Sequence, residues 1–233
     1  MSESTKYVII VAGGSGTRMA SSIPKQFLEI GGKPILMHTI KAFYKYDLCA
    51  KIILVLPESQ QGHWDALCNK HEFDLPHQVV NGGHSRFASV KNGLDIIPLG
   101  AKGQVAIHDG VRPFVSSKMI EESFQLAAKS GNAIASVSLK ESVRHLSPKG
   151  NKHVSREQYR LIQTPQTFSI TLIKEAFETE ESKLFTDDAS VFEANGGRVN
   201  LYEGDYKNVK ITTPDDLIWA EALLEKQSDQ LED

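Results

Sequence analysis

Five residues with an apolar cast, Tyr7-Val8-Ile9-Ile10-Val11, run straight into the loop Ala12-Gly13-Gly14-Ser15-Gly16-Thr17-Arg18. A short, largely β-branched run bounded by glycine reads as a buried strand of a parallel sheet. Glycine has no Cβ and tolerates positive φ, so the loop behind such a strand can fold its N–H groups around a phosphate. Arg18 ends the loop, and Lys25 follows next to Pro24. One segment thus combines a backbone anion nest with two cations. A site needs that combination to hold a triphosphate and to stabilise the charge of phosphoryl or nucleotidyl transfer.

The commoner glycine motifs do not fit. No Gly-Lys-Ser/Thr ends the loop, and Met19 stands where G-x-G-x-x-G needs its third glycine. Glu58, after the second apolar run, could take the acidic position of a dinucleotide site, so that alternative is weakened and stays open. A tight turn without a ligand is the plain alternative for the glycines alone; Arg18, Pro24 and Lys25 argue against it.

Strand and helix signals then alternate for roughly 140 residues. They predict a helix over Pro34–Tyr46, a strand over Lys51–Leu56, a helix over Gln61–His71 and a strand over Gln78–Val80. A helix over Phe87–Ile96, a strand over Gln104–Ile107, a helix over Ser117–Ser130 and a strand over Ala133–Leu139 follow. This is an α/β pattern: a Rossmann-like, mostly parallel sheet flanked by helices. Lys140–Gln158 is polar, with Pro148-Lys149-Gly150-Asn151 at its centre, and reads as a projecting β-hairpin arm. Beyond it, Leu161–Phe168 returns to the sheet. Ser169 caps a helix reaching about Thr179, and a short helix opens at Asp187 with Thr186 as N-cap, its paired aspartates serving the helix dipole rather than a metal. Strands are expected over Val199–Glu203 and Asn208–Ile211. Thr213, Pro214 and Asp216 start a last helix over Leu217–Lys226, and the tail from Gln227 is expected to fray. The whole chain, 1–233, reads as one domain with the arm inserted at about 140–158.

In an open parallel sheet, ligands sit at the carboxyl ends of strands. Asp109 follows such a strand and is placed to hold Mg²⁺ or a substrate hydroxyl. Arg112 reaches a phosphate or forms a salt bridge to Asp109, and His108 reads as a packed or hydrogen-bonded histidine. Asn81-Gly82-Gly83-His84-Ser85-Arg86 is a second glycine turn before a helix, again suited to anions, with an ordinary strand-to-helix turn as the alternative. Lys210, among apolar neighbours, is either an edge-strand charge or a buried functional amine.

The net charge of −3 and the lack of a basic tract argue against nucleic acid as a partner. No apolar run approaches the roughly 18 residues of a membrane span, and the N-terminus lacks signal-peptide features. Cys49 and Cys68, without C-x-x-C spacing, fit free thiols in a reducing cytoplasm. The histidines do not cluster at zinc spacing.

AGGSGTRM, PKQFLEIGGKPI, NGGHSRFASVKNGL, HDGVRPF, QTPQTF, TDDAS and NVKITTPDDL occur in this order between about residues 7 and 225. Together they resemble the signatures of sugar- and polyol-phosphate nucleotidyltransferases, and more closely those of the 2-C-methyl-D-erythritol 4-phosphate cytidylyltransferase family. The resemblance implies a sheet of the nucleotide-diphospho-sugar transferase type, with one antiparallel strand near the arm. It implies CTP and a polyol phosphate as substrates, Mg²⁺, and a homodimer in which the arm embraces a second subunit and contributes to both active sites. It assigns Arg18, Lys25, Arg156 and Lys210 to catalysis. Val11, Ala12, Gly13, Gly14, Gly16, Gly83 and Ser89 are assigned to CTP. Asp109, Arg112, Ser142 and Thr164 are assigned to the acceptor, with Asp109 also the metal candidate. Two positions depart from the family pattern: His84 stands where many members carry an acid, and Ser142 where threonine is usual. A cytidylyltransferase for another polyol phosphate, such as D-ribitol 5-phosphate, is the near alternative. A non-catalytic nucleotide-binding module is the distant one.

Overall fold

The computed structural model describes residues 5–14, 19 and 23–229. The chain begins with β1 (Thr5–Val11), then the two-residue strands β2 (Glu29–Ile30) and β3 (Lys33–Pro34). It continues through α1 (Ile35–Tyr46), β4 (Lys51–Leu56), α2 (Glu58–Lys70), β5 (Gln78–Asn81), α3 (Arg86–Ile96), β6 (Gly103–Asp109) and α4 (Ser117–Ser130). After β7 (Asn132–Ser138) come β8 (Val143–Ser147), β9 (Gly150–Val154), β10 (Arg160–Ser169), α5 (Ile170–Ala176), α6 (Asp188–Ala194), β11 (Leu201–Glu203) and α7 (Pro214–Asp229).

Seven strands form one sheet in the order β11-β7-β10-β6-β1-β4-β5. All neighbours are parallel except β10, which runs antiparallel between β6 and β7, as the resemblance implied. Successive side chains of a strand point to opposite faces, and helices cover both faces here, so the strands read as continuous apolar runs. Val8, Ile10, Ile52 and Leu54 pack against α1, α2 and α4. Ile9, Ile53, Val55 and Ile107 pack with Phe168 against α3, α5 and α6. Val8, Ile9 and Ile10 are fully buried, each worth about 1.5–3 kcal/mol of transfer free energy. A third, smaller cluster of Ile30, Ile35, Val111, Phe114, Ile211 and Ala220 seats α7 on the loop behind β6.

The arm is a separate two-stranded sheet, β8 with β9, paired from Val143↔Val154 to Ser147↔Gly150. Pro148 and Lys149 make its turn. Its strand residues are exposed except Val143 and Val154, which are half-buried. Both cysteines are free thiols, and burial pushes the Cys68 thiol up to about 11. No helix among the described residues is long and apolar enough to cross a membrane.

Several local expectations are corrected. Residues 208–211 are not a strand: the Ile211 N–H donates to Val111 O and Arg112 Nη1 donates to Asn208 O, so this segment is tied to the loop behind β6 rather than to a ladder. Asp187, not Thr186, caps α6, because its carboxylate accepts from Ser190 N–H while Ser190 Oγ accepts from Asp187 N–H. Ser169 makes no side-chain cap; it is the last residue of β10, and its N–H donates to Gly131 O. The helix α7 runs past Gln227 to Asp229.

Candidate active site

At the carboxyl ends of β1, β5 and β6 opens a cleft of about 310 Å³. The last residue of β1, Val11, and the loop behind it, Ala12, Gly13 and Gly14, line it. Lys25 and Gln26 enter from a single 3-10 turn, Lys25–Phe27, held directly under that loop. Gln26 is fully buried, and its Nε2 donates to Ala12 O and to Gln60 Oε1, both at 2.6 Å. A Cβ on Gly14 would lie 3.2 Å from Lys25 Cε, so the lysine stem crosses the glycine loop where a side chain would obstruct it.

The second glycine turn closes the opposite wall with Gly83, His84, Ser85, Arg86 and Ser89. Ser85 caps α3 by accepting from Ala88 N–H at 3.0 Å. Ser89 Oγ donates to Ser85 O at 2.7 Å and accepts from Gly83 N–H at 3.0 Å. A Cβ on Gly83 would stand 2.4 Å from Ala88 Cβ and 2.8 Å from its carbonyl carbon, a clash with backbone that only glycine avoids. His84 at the rim faces Glu181 at 3.0 Å.

A second cleft of about 220 Å³ abuts the first, and Arg86, Asp109 and Lys210 line both. Asp109 Oδ2 accepts from Arg112 Nε at 3.0 Å and meets Lys210 Nζ at 3.1 Å. Burial opposes charge on Asp109, but Lys210, Arg86 and Arg112 outweigh it and hold the carboxyl well below the usual range. The salt bridge to Arg112 therefore forms, with Lys210 as a second partner; Lys210 is neither an edge-strand charge nor deeply buried.

The floor behind Asp109 is a locked relay. Burial pushes His108 down to about 4, so its imidazole is neutral near pH 7. Its Nε2 lies 3.1 Å from Arg112 O, an atom that only accepts, which places the proton on Nε2. Nδ1 is then the acceptor for Thr164 Oγ1–H at 3.0 Å, and Thr164 Oγ1 accepts from Asp109 N–H at 3.1 Å. His108 is the hydrogen-bonded histidine expected from the sequence.

Arg112, Thr164 and Lys210 thus meet Asp109 at the second cleft, while Val11, Ala12, Gly13, Gly14, Lys25, Gly83 and Ser89 gather at the first. Ser142 and Arg156 line neither. Both are exposed at the base of the arm, where Arg156 Nη1 donates to Lys140 O. Arg18 and Gly16 lie outside the described residues.

Sequence reasoning missed Gln26, Gln163, Gln166 and Thr186 as lining residues. The two glutamines flanking Thr164-Pro165 were the available signal. Gln163 Nε2 donates to Asp205 O at 2.9 Å and Gln166 Nε2 to Asp187 Oδ2 at 2.9 Å, so each ties a distant segment to the cleft. Asp188 stands in the first turn of α6, as expected of a dipole partner, and is in addition a fully buried carboxylate gripped by both terminal nitrogens of Arg86. Among the described residues no three His, Cys, Asp or Glu side chains gather as a metal cage.

A mostly parallel sheet ending in two abutting clefts, one floored by a glycine loop and both edged by cations, defines an α/β protein built to bring a nucleotide and a second anion together. The family model described as IspD, 2-C-methyl-D-erythritol 4-phosphate cytidylyltransferase, matches residues 6–226, and the chain belongs to that family. It is 52% identical over 217 residues to the 2-C-methyl-D-erythritol 4-phosphate cytidylyltransferase of Bacteroides thetaiotaomicron, covering 93% of this chain and 98% of the relative. Among solved structures it is similar to 4-diphosphocytidyl-2C-methyl-D-erythritol synthase from Anaerococcus prevotii, with a TM-score of 0.81 and 29% identity over 95% of this chain and 96% of that one. The cytidylyltransferase from Thermus thermophilus matches with a TM-score of 0.75 and 32% identity over 93% and 97% of the two chains.

Proposed function

We propose that this chain transfers CMP from CTP to 2-C-methyl-D-erythritol 4-phosphate, giving 4-diphosphocytidyl-2-C-methyl-D-erythritol and pyrophosphate, in non-mevalonate isoprenoid precursor biosynthesis. The carrying observation is the pair of abutting clefts with Arg86, Asp109 and Lys210 in their common wall, in a chain of this family. CTP occupies the first cleft, held by the two glycine turns, and the acceptor phosphate enters from the second. An acceptor phosphate oxygen attacks the α-phosphorus in line as the bond from that phosphorus to the leaving pyrophosphate breaks. A phosphate monoester, with a second pKa of ~6, is already largely dianionic at neutral pH, so no general base is required. The neutral His108, with both ring nitrogens engaged, is suited to holding the floor rather than to moving a proton.

The barrier is electrostatic: two anions must meet and charge must build on the leaving group. Lys25 and Arg18 are assigned to that charge. Lys210, Arg112 and Thr164 orient the acceptor. Asp109 fits Mg²⁺ as a single ionised carboxylate, both its cation contacts falling on Oδ2; Mg²⁺ commonly takes one or two carboxylates and fills its shell with phosphates and water. When bound, it would neutralise CTP phosphate charge. Ser142 and Arg156 stand outside the clefts of their own chain, so a homodimer in which the arm reaches the partner's second cleft accounts for their part. The enzyme works as one domain with its arm, in the cytoplasm.

The test is pyrophosphate release by purified protein with Mg²⁺ and CTP, offered methylerythritol phosphate or ribitol 5-phosphate, with ATP and UTP as nucleotide controls. Turnover confined to CTP with methylerythritol phosphate is expected. Preference for ribitol phosphate would move the acceptor assignment, and no turnover with any pair would overturn the reading.

A further inference from the structure

One ion pair runs from the common wall of the clefts into the core. Asp188 is fully buried, and its two oxygens take Arg86 Nη1 and Nη2 at 2.7 and 2.6 Å across 102 residues of chain. Arg86 lines both clefts, whereas Asp188 lines neither. The turn just before Asp188, Thr186-Asp187, forms part of the wall of the second cleft. That turn is held from two sides. Arg86 grips Asp188 from α3, and Gln166 of β10 donates to Asp187 Oδ2 while its Oε1 accepts from Ala189 N–H, each at 2.9 Å.

A buried ion pair adds little net stability over a well-packed apolar pair of the same size. What a forked guanidinium–carboxylate pair does supply is a defined angle as well as a distance. Here it spans from the helix behind the second glycine turn to the helix that opens the second cleft.

We infer that Arg86 and Asp188 are positioning residues: their pair sets the Thr186-Asp187 wall of the second cleft at a fixed place relative to the first and so governs acceptor binding. This rests on reading the second cleft as the acceptor site. Asp188 acts without touching a substrate, through the guanidinium on one side and the turn on the other.

Asp188→Asn tests it. The isosteric amide turns one accepting oxygen into an NH₂ that faces the guanidinium. Thermal melting, CTP affinity by calorimetry, and kinetics with CTP, Mg²⁺ and methylerythritol phosphate are measured at a temperature where circular dichroism shows the variant folded. The acceptor KM should rise about tenfold or more, with CTP affinity within roughly threefold of wild type. Gln166→Met, which loosens the same turn from the other side, should give the same split and serves if Asp188→Asn does not fold. An acceptor KM within roughly threefold of wild type, with only the melting point lowered, would reduce the pair to a strut and overturn the inference. Parallel loss of CTP affinity and acceptor KM would overturn it too. Wild-type turnover is the control for the underlying reading. Its absence defeats the acceptor assignment and the inference together, whereas wild-type turnover with unchanged variants defeats the inference alone.

Discussion

The two clefts share a wall but are assembled differently. One wall of the first cleft, Gly13, Gly14, Lys25 and Gln26, comes from one short stretch of chain, held by the end of β1 and by a carboxamide bonded to Ala12 O, and it faces the second glycine turn across the cleft. The second cleft takes Asp109, Thr164, Asp187 and Lys210 from four separate segments. Those segments are joined by polar ties: Asn208 Nδ2 to Thr164 O at 2.7 Å, Gln163 to Asp205 O, Gln166 to Asp187 and Arg86 to Asp188. A wall built from neighbours is held mainly by local backbone geometry, here with one buried carboxamide as its anchor. A site built from distant segments depends on buried hydrogen bonds, where losing one partner leaves a costly unsatisfied group. Substitutions in the glycine-loop wall of the first cleft should therefore change chemistry, and substitutions behind the second cleft should change geometry and stability.

The largest expected effect is at Lys25. Lys25→Ala should lower kcat by about 10²–10³, because it removes charge stabilisation at the reacting phosphates. Pyrophosphate release measures it, and turnover within a few-fold of wild type would break the contrast at its strongest point.

Next is the floor of the second cleft. His108 titrates at about 4 when folded and at the ordinary histidine value of 6.5 when unfolded. The unfolded chain therefore binds the extra proton first as pH falls. This contribution is fully present above 6.5 and disappears as pH drops through 4, amounting to roughly 3 kcal/mol. Asp109, held below the ordinary carboxylate range, adds a loss at still lower pH. Urea midpoints between pH 7 and pH 4 should fall accordingly, and in His108→Gln the fall through this window should be shallower. A wild-type midpoint that stays flat would show that the relay is not locked.

Asn208→Ala should cost about 1–3 kcal/mol by orphaning Thr164 O. It should raise the acceptor KM while leaving CTP affinity unchanged, a split that calorimetry and kinetics resolve. Equal damage to both substrates would mean that the clefts are not separately built.

The smallest effect is on the arm. Leu146 is 76% exposed, so Leu146→Ser should change unfolding free energy by less than about 0.5 kcal/mol. The same substitution should weaken self-association in sedimentation if the arm embraces a second copy. A large loss of folding stability would contradict the separation of the arm from the core.

Legibility followed the same division. The helix Ser117–Ser130 has the bounds expected from the sequence, and the structure shows its signals to be local: Ser116 caps the start and Gly131 ends it at φ 83°. The arm was legible from Pro148-Lys149-Gly150 in a polar stretch. By contrast, Asp187 and Asp188 are identical neighbours in one motif, yet one caps a helix and the other is buried against Arg86. Ser190, three residues on, marks Asp187 as the cap, whereas the partner of Asp188 lies 102 residues away. Val209-Lys210-Ile211 has the composition of a strand, but Val209 N–H turns back to Lys207 O and Ile211 N–H donates to Val111 O of the loop behind β6, a tie that local pattern does not register.

The sequence by itself determined the α/β alternation, the glycine loop with Lys25 beside it, and the hairpin arm, because strand, helix and turn preferences act over a few residues and repeat with their own periods. Only the tertiary structure decided that Lys210 joins Arg112 on Asp109, that His108 is neutral and locked to Thr164, and that Asp188 pairs with Arg86. Each depends on the burial of charged or polar groups brought together from far along the chain, and desolvation, which sets their protonation and their partners, exists only once the chain has folded.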